Sequence, residues 1–172
     1  MGLTMFEIYD NFLERDYFDS LVRHINDRIF TWKYCDFVAK KSDDTEISQE
    51  QSEEQFYFVH NIYEKDQPCS ELYEYTKPLY GKLKVLSLIR SRVIMYMNQG
   101  KQIIHEKHTD FDYDHTAVLL YLNTNNGFTE FSDGSKCESI ENRLVVFNGS
   151  IEHNSSTCTD VKKRQVLTIN YF

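Results

Sequence analysis

Apolar and polar positions alternate in short runs along most of this chain, with two stretches of helical spacing near its start. Phe6-Glu7-Ile8-Tyr9 reads as a short strand. Phe12, Leu13, Phe18, Leu21, Val22 and Ile25 then recur near a helical period and predict an amphipathic helix over roughly residues 14–28, with Asp10-Asn11 as its candidate cap. Phe30 to Ala39 is mixed and aromatic and reads as a strand. Lys40 to Gln55 holds one apolar residue in sixteen, which predicts a solvated loop or a flap that orders over substrate. Phe56 to Tyr63 is strand-like. Ser70 is a candidate cap for a second helix carrying Leu72, Tyr73, Leu79, Leu83 and Leu86. Pro78 inside it removes one helical hydrogen bond and predicts a kink or break.

From Ser87 the pattern is β. Strands are predicted over Leu88–Met97, Ala117–Leu122, Phe128–Phe131, Leu144–Phe147 and Arg164–Phe172. Asn125-Asn126-Gly127 and Asp133-Gly134 are turn signals between them. Helices followed by a run of short strands point to a mainly β fold, a sandwich or barrel with helices packed outside. The 172 residues are 41% hydrophobic and 15% aromatic, which suits one domain with its own core.

Charge and cysteines narrow the function. A net charge of −8 lacks the basic footprint of a nucleic-acid binder and argues against that partner. Cys35, Cys69, Cys137 and Cys158 lie far apart with no CxxC and read as reduced thiols of a cytoplasmic protein. The start, MGLTMF, has Phe6 where a myristoylation signal wants Ser or Thr. No signal peptide is read there, so the Asn148 and Asn154 sequon matches are set aside. No apolar run approaches the length of a membrane span. Short exposed strands are compatible with a monomer or a dimer.

The chemistry concentrates in IIHEKHTDFDYDHTAVLLY, residues 103–121, where three histidines and three aspartates precede an apolar strand. Asp110, Asp112 and Asp114 imitate the start of a calcium loop, but His115 and Tyr121 stand where it needs glycine and glutamate. His105-Glu106-Lys107-His108 is one residue short of the zinc-protease helix motif. His108-Thr109-Asp110 remains. On an extended chain, residues i and i+2 share a face, so His108 and Asp110 can hold one ion together. A second histidine would complete a two-histidine, one-carboxylate triad with three open positions, the arrangement of non-haem Fe(II).

Only His153 lies downstream of His115. Eleven residues later Arg164 opens the apolar strand RQVLTINYF, on which Arg164, Val166, Thr168 and Asn170 share one face. An inward arginine there needs a partner, and a ligand carboxylate held bidentately would supply one. Lys162 and Lys163 are the alternatives if the register slips.

HxD, then a histidine, then an arginine about ten residues on resembles the iron and 2-oxoglutarate-dependent dioxygenases, most closely the prolyl 4-hydroxylase-like branch. The strands Val118–Asn123 and Arg164–Phe172 are similar to core strands of that branch. The stretches Leu122–Phe131 and Asn142–Phe147 resemble small stand-alone members from bacteria and phages. The likeness is specific over roughly residues 88–172 and general over residues 6–30.

The resemblance implies a double-stranded β-helix, a cupin-like jelly roll, as one domain over residues 1–172. Residues 1–87 would supply helical support and outer strands, and 88–172 the catalytic core. It implies Fe(II) on His108, Asp110 and His153, with 2-oxoglutarate bound through Arg164 and Tyr121. Thr168 and Tyr96 would lie near that pocket. Oxygen is the implied co-substrate and ascorbate a candidate stimulant. The implied reaction is hydroxylation of a peptidyl or free amino-acid side chain, proline among them, with release of succinate and carbon dioxide. A small-metabolite or nucleobase hydroxylase is the alternative within the same chemistry, and a metal-binding cupin module the alternative outside it. His105 is expected to be solvated or to act behind the site. His115 is expected to close the loop after Asp110, with Phe111–Asp114 at the rim. Arg143 reads as a structural charge, and Thr129 is expected to pack near the co-substrate pocket.

Overall fold

The computed structural model describes residues 5–38 and 54–172. Eleven strands are seen among them: β1 (Phe6–Tyr9), β2 (Lys33–Cys35), β3 (Tyr57–Glu64), β4 (Gln67–Pro68), β5 (Leu88–Met97), β6 (Thr116–Tyr121), β7 (Phe128–Phe131), β8 (Lys136–Glu138), β9 (Leu144–Asn148), β10 (His153–Ser155) and β11 (Lys163–Tyr171). Two helices accompany them, α1 (Arg15–Ile25) and α2 (Leu72–Leu83). The predicted loop at 40–55 falls outside the described residues except for its last two positions.

The large sheet runs β1-β9-β6-β11-β5-β3-β2, with β4 paired to β3, and its strand pairings among the described residues are antiparallel. The small sheet runs β10-β7-β8, also antiparallel. This is the mainly β, jelly-roll architecture with helices outside that the sequence predicts.

Alternation along the central strands sorts side chains into two layers. Val93, Val118, Leu120, Leu144, Leu167 and Ile169 point to the outer face of the large sheet, where they meet Phe18, Leu21 and Ile25 of α1 and Leu72 and Leu79 of α2. Full burial of each such side chain contributes about 1.5–3 kcal/mol. The opposite positions, Ala117, Leu119, Tyr121, Val145, Phe147 and Val166, meet Phe131 and Cys137 of the small sheet. The space between the sheets is therefore apolar at one side and, as described below, polar along the neighbouring β5 and β11 faces.

Several local expectations are corrected. Helix α1 stops at Ile25 because Asn26 caps it, its Nδ2 donating to the Val22 carbonyl. Neither Asp10 nor Asn11 caps its start; Glu14 is the N-cap without a side-chain bond, and Asp10 instead accepts two bonds from Arg143 at 2.6 and 3.0 Å. Arg143 is thus structural, as expected. The stretch 30–38 forms strand only over Lys33–Cys35. Ser70 does not cap α2, whose N-cap is Glu71. Pro78 does not break α2: it lies on the exposed face, where water can serve the carbonyl it leaves free. The helix ends where Lys84 takes a left-handed conformation (φ 55°), with Lys84 and Val85 N–H groups donating back to Gly81 and Tyr80. Leu86 lies beyond that turn and is exposed.

All four cysteines are unpaired. No helix among the described residues is long and apolar enough to cross a membrane.

Candidate active site

His108 and His153 face each other across an isolated antiparallel bridge. Each donates its backbone N–H to the other's carbonyl at 2.9 Å, and their rings lie 4.7 Å apart. Two residues on, the Asp110 N–H donates to the Gly149 carbonyl at 2.9 Å, which continues the extended chain and returns Asp110 to the face of His108. One ligand atom from each of His108, Asp110 and His153 lies within 4.8 Å of the others. The extended HxD and the distant histidine are therefore brought together.

The donor set fits a divalent metal. The Nδ1 atoms of His108 and His153 lie 3.4 and 2.9 Å from the Glu106 and Ile151 carbonyls. A carbonyl only accepts, so Nδ1 carries the proton and Nε2 keeps a lone pair for a metal. Burial, followed by His153, pushes the His108 pKa down to about 4, so its imidazole is neutral at neutral pH. Burial alone would raise the Asp110 pKa. The neighbouring His153 and Arg90, the Asn170 hydrogen bond and Arg92 together outweigh it and hold the carboxyl below its usual range.

Two residues that sequence reasoning did not assign to the site orient Asp110. The Arg90 guanidinium donates to Oδ1 at 2.7 Å and the Asn170 amide to Oδ2 at 2.9 Å. Each carboxylate oxygen has a second lone pair free for a metal. Burial and repulsion from Arg92 bring the Arg90 pKa down to about 10, against the pull of Asp110. Arg90 also stands over the Phe111 ring at 4.7 Å.

Asn170 ties the aspartate to His115. Its amide also lies 3.1 Å from His115 Nε2, while His115 Nδ1 lies 2.9 Å from the Tyr113 carbonyl. His115 is buried beneath the exposed rim residues Asp112 to Asp114, and Asp114 accepts from Asn148 and Ser150. Gly149 is what admits the ring, since a Cβ there would lie 2.1 Å from His115 Nε2. Gly149→Ala is expected to cost about 2–3 kcal/mol by displacing that ring, read from denaturant unfolding. An unchanged midpoint would contradict the packing.

The second half of the site is set by β11 and β5, whose register pairs Arg164 with Tyr96 and Thr168 with Arg92. Arg164 is 1% exposed. Its Nε donates to Ser139 Oγ at 2.6 Å, and its terminal nitrogens to the Ser156 carbonyl at 3.3 Å and Thr129 Oγ1 at 3.1 Å. These acceptors are all neutral. Among the described residues no carboxylate lies within ion-pair distance of it. The guanidinium stands 5.5 Å from the Tyr96 ring and 5.4 Å from the Tyr121 ring. Gly127 makes room for it, because a Cβ there would meet Arg164 Cδ at 2.6 Å. Lys163 points to the other face and bonds Asn26, and Lys162 is exposed, so Arg164 is the inward cation.

The other predicted residues fall around this cation. Tyr121 is fully buried and donates to Thr129 Oγ1 at 3.0 Å; burial pushes its pKa up. Ser155 Oγ donates to the Tyr96 hydroxyl at 3.1 Å and lies 2.8 Å from His105 Nδ1. Thr168 donates weakly to the Arg92 carbonyl at 3.4 Å and stands four residues, about 13 Å, along β11 from Arg164. It therefore sits at the triad's end. His105 is not solvated. It is 2% exposed with its ring 4.8 Å from that of Tyr96, and burial drives its pKa down to about 3.

One cavity joins the two halves. His108, Asp110 and His153 line one end and Arg164 the other, with Ile94, Leu119 and Val166 between them. Its volume is about 40 Å³.

The buried histidines give a signed pH prediction. His105 and His108 both titrate far below the ordinary 6.5 in the folded protein. Their neutral forms stabilise the fold fully above pH 6.5, and that stability is lost as pH falls from 6.5 toward 4. Metal-free protein is expected to lose several degrees of melting temperature between pH 7 and pH 4.5. A flat profile would contradict their burial.

Solved structures share this architecture. A Pseudomonas putida prolyl-4-hydroxylase superimposes with a TM-score of 0.60 at 14% identity, over 97% of this chain and 92% of that one. A Trichoplax adhaerens prolyl hydroxylase, in complex with a hypoxia inducible factor oxygen degradation domain peptide fragment, gives 0.63 at 15% identity, over 98% and 83%. The viral collagen prolyl hydroxylase of Paramecium Bursaria Chlorella virus-1, as its 2OG complex, gives 0.57 at 12% identity, over 97% and 95%. No protein-family model matches the chain, and no curated protein matches it either. At these identities the likeness establishes the fold.

Proposed function

We propose that this protein is an Fe(II)- and 2-oxoglutarate-dependent oxygenase that hydroxylates an amino-acid side chain, peptidyl or free, with proline a leading candidate. One observation carries the reading. A two-histidine, one-carboxylate triad and a buried arginine with no anionic partner among the described residues line opposite ends of one cavity. Those are the two needs of a metal-chelated keto acid with a free carboxylate at its far end. The neighbouring folds whose names include prolyl hydroxylase and 2OG support it.

His108, Asp110 and His153 would hold the metal, leaving three positions for co-substrate and oxygen. The bound iron, keto acid and dioxygen supply the oxidising chemistry, which releases succinate and carbon dioxide and places one oxygen atom on the substrate. The protein's part is positional. Arg90 and Asn170 fix the Asp110 carboxylate, and the backbone carbonyls of Glu106 and Ile151 fix the imidazole tautomers. Arg164 would receive the far carboxylate of 2-oxoglutarate, with Tyr121 beside it. Ile94, Leu119 and Val166 keep water from the intervening chain of the keto acid.

Purified protein given Fe(II), 2-oxoglutarate and oxygen is expected to form succinate, faster with a proline-containing peptide or a free amino acid present. Absence of succinate under all these conditions, with iron bound, would overturn the reading.

A further inference from the structure

The inward face of β5 carries two arginines, and only one of them is matched. Arg90 and Arg92 are two residues apart and point to the same side. Arg90 has Asp110 as a salt-bridge partner at 2.7 Å. Arg92 lines the same cavity, close enough to His108 and Asp110 to affect both electrostatically. Yet its guanidinium makes no hydrogen bond or ion pair with the described residues, and its Nε is shut off from solvent without an acceptor. Glu64, on the adjacent strand β3, instead accepts from Asn61 at 3.0 Å. Burying a cation's donor without an acceptor is costly, so such a site persists when a ligand completes it.

Resting on the oxygenase reading, we propose that Arg92 binds a carboxylate of the primary substrate, and that the substrate is a free amino acid or other small carboxylic acid. Charge supports this. The cavity is lined by Arg92, Arg164 and Asp110, and Asp110 is already neutralised by Arg90. Two guanidinium charges remain. Arg164 at the closed end takes one anionic group, and Arg92 at the triad's end takes a second. They belong to different molecules because their strand positions differ by four residues, about 13 Å. A single planar guanidinium matches a carboxylate bidentately, whereas a phosphate site gathers several donors. An internal residue of a peptide has no carboxylate on its backbone to offer here. Thr168, directly across from Arg92 on β11, adds a hydroxyl beside the same position.

The test uses the full chain loaded with Mn(II) and 2-oxoglutarate, so that no turnover occurs. Binding of the twenty free L-amino acids, the matching α-amides and an internal-proline peptide is measured by water-proton relaxation. At least one free acid is expected to bind, its amide about 30-fold more weakly. Arg92→Gln is expected to lose about 30-fold for the acid and little for the amide, with the 2-oxoglutarate affinity changed less than about twofold. Arg92→Lys should retain part of the affinity, and its melting temperature reports that the fold is kept. Equal binding of acid and amide, preference for the peptide, or no free acid bound would each overturn the proposal. So would a loss confined to 2-oxoglutarate, which would assign Arg92 to the co-substrate. Failure of wild-type protein to bind 2-oxoglutarate at all would instead remove the oxygenase reading beneath it.

Discussion

Arg164→Met is expected to stabilise the ligand-free protein while abolishing its use of 2-oxoglutarate. Arg164 is 1% exposed, and among the described residues its guanidinium hydrogen-bonds only Ser139, Thr129 and the Ser156 carbonyl. These neutral bonds do not repay the loss of hydration of a full charge. Met has similar length and no charge, so a gain of about 2 kcal/mol is expected, a rise of about 4–8 °C in melting temperature for a chain of this size. The same change removes a charge-assisted pair with the far carboxylate, and 2-oxoglutarate affinity should fall at least about 100-fold. Calorimetric melting and titration on one sample check both. A purely structural arginine would give the opposite sign of the first effect and no second effect.

Arg90→Leu is expected to act in the other direction. The Arg90–Asp110 pair is largely buried, at 17% and 11% side-chain exposure, and removing one member leaves the aspartate charge poorly matched. A loss of about 3 kcal/mol is expected. Arg90 is also one of the groups holding the Asp110 carboxyl below its usual range. Without it that pKa rises, so the carboxylate protonates at a higher pH and metal binding fails earlier on acidification. Metal affinity measured from pH 7 downward should show its acid edge shifted upward. An unmoved edge with unchanged stability would show that Asn170 alone holds the carboxylate.

The contrast between these two arginines explains what was legible in the sequence. Arg164 was legible because the alternation of RQVLTINYF begins with it and puts it on one face with Val166, Thr168 and Asn170. His108 and Asp110 were legible for the same local reason. Strands β5 and β7 follow their predicted limits because their alternation is bounded by clear breaks. Arg90 was not legible. Its role depends on β5 lying next to β11 in the register that pairs it with Asn170, and no local pattern encodes that. The same is true of Ser139 and Ser156 around Arg164, which come together only when the small sheet closes on the large one, whereas Thr129 was expected near that pocket. Strands β8 and β10, three residues each, carry too few positions to show a period. The cap of α1 was misread because the candidate Asp10 has a stronger partner in Arg143, far away in sequence.

The central claim is that the triad and Arg164 grip the two ends of one molecule, a metal-chelated keto acid. Anaerobic absorption spectroscopy tests it most directly. Fe(II) is added to the metal-free protein and then 2-oxoglutarate, in wild type, His108→Ala and Arg164→Met. A visible iron-to-ketoacid charge-transfer band is predicted for wild type, absent in His108→Ala, and reached in Arg164→Met only at far higher 2-oxoglutarate concentration. Wild-type protein with iron demonstrably bound and no band at saturating 2-oxoglutarate would contradict the account and leave a metal-binding jelly roll without this chemistry.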